Sequence, residues 1–396
     1  MSAERFLSSR VRPISDSLLW QFFNLAKTVD NVISLSVGEP DFLTPWHISE
    51  EGIYAIEKGR TYYPPTLGLT RLRTGIVRYY ERRFNVSGYD ESNVLVTVGA
   101  SEAIDLVARS VLNPGDECIV LDPGYVAYEP AVLLAEAKPV YLRLREEDGF
   151  KLTPEALEAC ITDRTKMIIL NYPSNPTGGI MSREDYEKVI PILKQHDILI
   201  VADEIYLELT YDQKPYSIGS FTEIRDQLVI VSGFSKAWSM TGWRLGYMIA
   251  DADMIHACNS IHQYSTMGPA TPAQFSAIEA IGARSDSDIE HHFESFKNRR
   301  NFLTAQLNRM GLYTPLPEGA FYVFANIKPT GLSSYDFCLR LLQEEKVCII
   351  PGTAFGPSGE GYVRMSYAYS LEELKTACER IERFLSQFDM KRETEA

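Results

Sequence analysis

The 396-residue sequence has no run of ~18 apolar residues, the length a helix needs to cross a bilayer. Its first residues, Met1-Ser2-Ala3-Glu4-Arg5, lack the apolar stretch of a secretory signal, so the cytoplasm is the expected location. Cys-x-x-Cys pairs are absent. Cys118, Cys160, Cys258, Cys338, Cys348 and Cys378 stand apart, mostly in apolar or helical stretches, and read as reduced structural thiols. The histidines show no metal-ligand spacing. His291 and His292 are adjacent and on a helix would point in different directions, so no metal site is expected. Gly352-Thr353-Ala354-Phe355-Gly356 lacks the lysine that follows in a nucleotide phosphate loop. Positive charge is in short supply: 39 Lys and Arg against 53 Asp and Glu give a net charge of −14, which argues against the basic face of a nucleic-acid binder. Repeats and low-complexity segments are missing as well.

What remains is an ordinary globular composition, 45% hydrophobic and 23% charged. The length exceeds one compact core; at roughly 150 residues per domain it suggests two or three units. Residues 1–35 read as an arm without a sustained period, and Ser36-Val37-Gly38-Glu39-Pro40-Asp41 as a turn-rich loop. Helices are predicted near 47–58 and from Gly68 to about Phe84, where Leu69, Leu72, Ile76 and Tyr79/Tyr80 share one side.

From residue 93 short apolar runs alternate with helical stretches. Strands are predicted at 94–98, 118–121, 139–144, 167–170, 198–202, 228–232 and 245–249, with helices near 101–112, 126–136 and 183–195. These strands are continuously apolar, as strands covered on both faces are. The expected fold class is therefore α/β: a mostly parallel seven-stranded sheet sandwiched by helices. After residue 286 the pattern becomes α+β, with a long charged helix from about 288 to 310, hairpin-like strands around 319–324, and further strands near 347–350 and 362–367. The expected division is an N-terminal arm at 1–45 that also forms part of the small domain, a large domain at 46–285 and a small α+β domain at 286–396.

Open parallel sheets bind ligands at the carboxyl ends of their strands. The residues there are Gly99-Ala100-Ser101, Gly124-Tyr125, Asn171 to Gly178, Asp203 to Tyr206 and Ser232 to Lys236. They supply a helix start for an anion, an aromatic ring, an amide, a carboxylate with a phenol, and a lysine. A phosphorylated pyridine aldehyde needs that set: an amine for its aldehyde, an acid for its ring nitrogen, a stacking partner and a phosphate cradle. Each group alone has a plainer reading; Asp203 could cap a helix and Asn175-Pro176 could be a simple turn.

Three motifs carry a resemblance along nearly the whole chain, from Ser36 to Arg364: Asn175-Pro176-Thr177-Gly178, Asp203-Glu204-Ile205-Tyr206, and Ser235-Lys236 followed by Arg244. Together, in this order, they resemble the class I/II pyridoxal-phosphate-dependent aminotransferases, the aspartate aminotransferase superfamily. The nearest-looking branch holds bacterial aspartate, aromatic and N-acetyl-diaminopimelate enzymes. The resemblance implies pyridoxal 5′-phosphate as cofactor, an amino acid and a 2-oxo acid as substrates, and ping-pong transfer between them.

It implies the following roles. Lys236 would carry the cofactor as a Schiff base and move the proton. Asp203 would pair with the ring nitrogen, Tyr206 and Asn175 would bond the ring oxygen, and Tyr125 would stack on the ring. Gly99, Ala100, Ser101, Ser235 and Arg244 would hold the phosphate. Arg364, Asn175 and Gly38 would meet the substrate α-carboxylate. Tyr63 would reach the phosphate of a neighbouring subunit, which implies a homodimer with shared sites. One departure stands out: many relatives carry a serine or threonine three residues before the lysine, where this chain has Gly233, so Ser232 or Ser235 would have to compensate. A β-lyase on the same fold is the main alternative. A regulator is a lesser one, disfavoured because the sequence begins almost directly with the aminotransferase-like part. Ser101 and Glu102 stand where some relatives for acidic substrates carry a lysine, leaving Arg10 or Arg12 of the arm as substitutes.

Overall fold

The computed structural model describes residues 3–14 and 17–388; the ends of the expected arm and of the expected small domain lie partly outside the described residues. Among the described residues the strands are β1 (Ile33–Ser34), β2 (Val94–Thr97), β3 (Glu117–Asp122), β4 (Lys138–Arg143), β5 (Thr165–Asn171), β6 (Leu199–Asp203), β7 (Leu228–Gly233), β8 (Gly246–Ile249), β9 (Tyr322–Asn326), β10 (Val347–Cys348), β11 (Ile350–Pro351) and β12 (Tyr362–Ser366).

The seven expected strands form one sheet in the order β2-β8-β7-β6-β5-β3-β4. The pairings β3–β4, β3–β5, β5–β6 and β6–β7 are parallel. β8 is antiparallel to both of its neighbours, so it alone is reversed. The apolar runs of β3, β5, β6 and β7 divide by alternation between two cores. Ile119, Ile168, Ile200 and Ile230 face one layer, which includes the helices Thr70–Phe84 and Arg183–Gln195. Val120, Ile169, Val201 and Val231 face the other, which includes Gly99–Val111 and Ala252–Ser265. Both faces are dry, which explains why no polar alternation is visible in these strands.

Beyond this sheet, β11, β12 and β9 make a three-stranded antiparallel sheet, and β1 pairs with β10 in parallel. The long helix is Asp286–Arg309. No described helix is long and apolar enough to cross a membrane.

Three expectations change. The stretch at 319–324 is not a hairpin: β9 pairs with the distant β12. Gly319 and Glu318 instead donate to the Gly178 carbonyl, each at 2.9 Å, so the loop after β5 holds this segment. The arm contains the helix Leu18–Ala26, whose nine residues span too few turns to show a period. The helices Ala252–Ser265 and Thr271–Ala280 were also not anticipated. The second buries Ala273, Gln274, Ser276, Ala277 and Ala280, a set of small and polar residues that leaves no apolar stripe to read.

Candidate active site

The carboxyl ends of β2, β3, β5, β6 and β7 open into a cleft of about 370 Å³. Reversal of β8 brings its beginning to the same edge, since Gly246 pairs with both Thr97 and Gly233. Arg244, two residues earlier, therefore lines the cleft although it precedes a strand. Its backbone takes the left-handed conformation at φ +52°. A Cβ on Gly99 would lie 2.6 Å from Arg244 Nη2, so glycine there leaves the guanidinium its place above the start of the helix Gly99–Val111.

Of the residues expected at the site, Gly38, Ala100, Ser101, Tyr125, Asn175, Asp203, Tyr206, Ser235, Lys236, Arg244 and Arg364 line this cleft. Gly99 borders it through Arg244. Tyr63 is not among them: its side chain is 81% exposed. Of the two candidates to offset Gly233, Ser235 lines the cleft, whereas the Ser232 hydroxyl donates to the Glu204 carbonyl at 3.4 Å.

Lys236 Nζ donates to the Gly38 carbonyl at 2.7 Å. Burial pushes its pKa down to about 8; Glu39 opposes that shift, while Arg364 and Arg244 add to it. Asp203, the last residue of β6, is buried, and burial lifts its pKa to about 6. The Tyr128 hydroxyl at 2.8 Å and the Ile205 amide at 3.1 Å both donate to it and counter that rise. Strand alternation turns Glu204 away, to accept from Ser217 and the Ile218 amide instead. Asn171 at the end of β5 braces the neighbouring loop: its amide donates to the Asp203 carbonyl at 3.0 Å and its oxygen accepts from the Asn175 amide at 2.9 Å.

Arg364 enters from β12, 1% exposed. It donates to Asn175 Oδ1 at 3.1 Å and to the Ser36 carbonyl, and stacks between Tyr322 and Phe355, 4.5 and 4.7 Å from their ring centres. Its Nε is buried with no hydrogen-bond partner, and among the described residues it forms no ion pair. Tyr322 also bonds Tyr206, hydroxyl to hydroxyl at 2.8 Å. A Cβ on Gly38 would collide with that Tyr322 hydroxyl. Gly38→Ala is expected to displace both the Tyr322–Tyr206 contact and the carbonyl under Lys236. Steady-state kinetics should show kcat/KM down by about tenfold or more, with an unchanged far-ultraviolet dichroism spectrum.

Sequence reasoning leaves out Tyr128 and Tyr322, and names Asn171 only as the start of a strand-end loop. Asn171 sat at a strand end and was open to the same rule that found Asp203. Tyr128 lies one helical turn after Tyr125, where the loop becomes the helix Tyr128–Leu134. Tyr322 comes from the other sheet and carries no local signal.

A buried acid with a raised pKa, a lysine amine brought near neutrality and a buried arginine lacking its carboxylate fit pyridoxal phosphate and an amino acid. They account for the ring nitrogen, the aldehyde and the α-carboxylate, while Arg244 and the helix start account for the phosphate. Fold and cleft together define a pyridoxal-phosphate-dependent aminotransferase. The chain belongs to the aminotransferase class I and II family, whose family model matches residues 30–381. It is 37% identical to aromatic-amino-acid aminotransferase 2 of Thermococcus litoralis, over 96% of this chain and 98% of that one. It is 41% identical to an aspartate aminotransferase of Bacillus subtilis, over 90% and 92%. The structure of the aspartate aminotransferase from Thermus thermophilus with maleate superposes with a TM-score of 0.91 at 35% identity, covering 95% of this chain and 99% of that one.

Proposed function

We propose that the cleft residues divide the transamination as follows. The chemistry supplied by bound pyridoxal phosphate is an electrophilic aldehyde and an electron-withdrawing ring. Asp203, held by Tyr128 and the Ile205 amide, keeps a proton on the ring nitrogen. A cation set against this buried carboxylate reverses the rise caused by burial. Tyr125 offers its ring as the stacking face, and Tyr206 and Asn175 donate to the ring oxygen. Arg244, Ser235, Ala100, Ser101 and the Gly99 turn hold the phosphate at a helix N-terminus. Arg364 grips the amino acid's α-carboxylate with its fork, aided by Asn175 and the Gly38 backbone. Lys236 Nζ, with a pKa near 8, is neutral often enough near pH 7 to accept and return the substrate Cα proton.

The observation that carries this reading is the convergence of Lys236, Asp203 and Arg364, from β7, β6 and β12, on one cleft. The test gives the holoenzyme an amino acid alone. A stoichiometric shift to the pyridoxamine form with one equivalent of 2-oxo acid is expected. Continuous release of ammonia and pyruvate would indicate the β-lyase instead.

The domain division at 45/46 and 285/286 belongs to the same proposal, supported by the confinement of the seven-stranded sheet to residues 94–249. So does a homodimer in which Tyr63 serves the partner's phosphate. Its support is that Tyr62 and Tyr63 are exposed, as are Trp46 and Ile53 of the helix Trp46–Glu57. The underlying segments are tied together, as Thr271 Oγ1 donates to the Tyr62 carbonyl at 2.7 Å and the helices Trp46–Glu57 and Thr271–Ala280 pack on one another. A cytoplasmic setting is supported by six unpaired cysteines.

A further inference from the structure

The family includes enzymes named for aspartate and for aromatic amino acids, so membership leaves the substrate side chain open. The cleft itself constrains it. Three cationic side chains line it among the described residues: Lys236, Arg244 and Arg364. On the reading above, these serve the aldehyde, the phosphate and the α-carboxylate, and the chain's own lining leaves no fourth for a second carboxylate. The substitutes weighed from sequence do not reach it: Arg10 pairs with Glu136 at 3.3 Å, and neither Arg10 nor Arg12 lines the cleft. Lys27 sits over the Phe23 ring, 4.1 Å from its centre, and is not a lining residue either.

The charged lining group to which that reading gives no role is an anion. Glu39 lines it, exposed, and accepts from the Thr241 hydroxyl. Facing this interior is the helix Leu18–Ala26, which anchors itself through buried Phe22 and Ala26 and presents Leu19, Trp20 and Phe23 to the cleft. Trp20 and Phe23 meet edge to face with ring centres 5.4 Å apart. Trp20 is 58% exposed, a large aromatic surface left open beside the reacting groups. Ile104 of the helix Gly99–Val111 adds to the apolar lining.

We infer that the helix Leu18–Ala26 forms the side-chain subsite, and that the enzyme takes amino acids with a large apolar side chain, aromatic or branched aliphatic, in preference to acidic ones. This inference rests on the transaminase roles proposed above for the three cations. A phenyl or isobutyl group gains contact with Leu19, Trp20 and Phe23 that water cannot supply. A distal carboxylate there gives up hydration without a partner and lies in the field of Glu39.

The test is the half-reaction of the holoenzyme with phenylalanine, leucine, aspartate and glutamate, each followed by its spectral change. Phenylalanine and leucine should exceed aspartate and glutamate in kcat/KM by on the order of fiftyfold or more. Aspartate or glutamate equal to or faster than phenylalanine would overturn the side-chain inference and leave the transaminase intact. No spectral change with any donor would sink the transaminase reading itself, and this inference with it. Equilibrium binding gives an independent measure. Calorimetry should show 3-phenylpropionate binding the holoenzyme more tightly than maleate, and the reverse order counts against the subsite. Trp20→Ala, a surface change, should lower the phenylalanine-to-aspartate ratio of kcat/KM about tenfold, mainly through KM for phenylalanine. An unchanged ratio would remove Trp20 from the subsite.

Discussion

Lys236→Ala protein is expected to lose essentially all transamination, with kcat down by at least about 10⁴-fold, as happens when a group acting as both attachment point and proton carrier is deleted. Two properties of the structure set that size. Nζ is the basic nitrogen at the ends of the parallel strands, and among the described residues its hydrogen-bond partner is the Gly38 carbonyl, which offers no proton-accepting substitute. The variant should still fold, since among the described residues Lys236 donates one hydrogen bond and makes no ion pair. It should bind pyridoxal phosphate only reversibly, so that dialysis removes the colour that the parent protein keeps. Retention of the parent's visible band after dialysis would show that another amine holds the cofactor. The same amine sets a pH dependence. Because burial lowers its pKa to about 8, the neutral, nucleophilic fraction grows as pH rises through 8. Cofactor uptake by the stripped parent should therefore accelerate between about pH 7 and 9 and level off above.

Asp203→Asn should have the second-largest effect. The amide is nearly isosteric: its oxygen can still accept from the Ile205 amide while its nitrogen donates to the Tyr128 oxygen, reversing that one bond, so the loop should hold its shape. What disappears is the buried negative charge. Breaking a buried ion pair on one side costs about 3–5 kcal/mol, which corresponds to a fall in kcat on the order of 10²–10⁴-fold. Asp203→Glu keeps the charge and should recover part of the loss, whereas a purely packing role would make the longer side chain the worse of the two. Equal activity in Asp203→Asn and the parent would remove Asp203 from the chemistry.

These residues were legible because one geometric rule covers them. Asn175, Asp203 and Lys236 each follow a parallel strand, and a short apolar run bounded by turn residues marks a strand end with little ambiguity. Arg244 falls outside that rule, because it precedes a strand. Physically it is at the cleft because β8 is reversed, and a four-residue apolar run carries no information about its direction. Tyr322 and the trio Leu19, Trp20 and Phe23 were out of reach for a different reason. Their placement depends on how a second sheet and a nine-residue helix dock on the first, and such long-range packing leaves no local period. The hairpin expected at 319–324 failed on the same ground, since the partner of β9 lies beyond a whole helix in β12.

On the proposed roles, the residues for the cofactor stand on one sheet and the arginine for the amino acid on another. Ile350 of β11 sits beside Arg364 of β12 in register, and that short ladder fixes where the clamp stands. A lesion that slackened the ladder would give a protein that still purifies yellow yet turns nothing over. Colour in this enzyme reports half of its competence, and the other half has to be assayed separately.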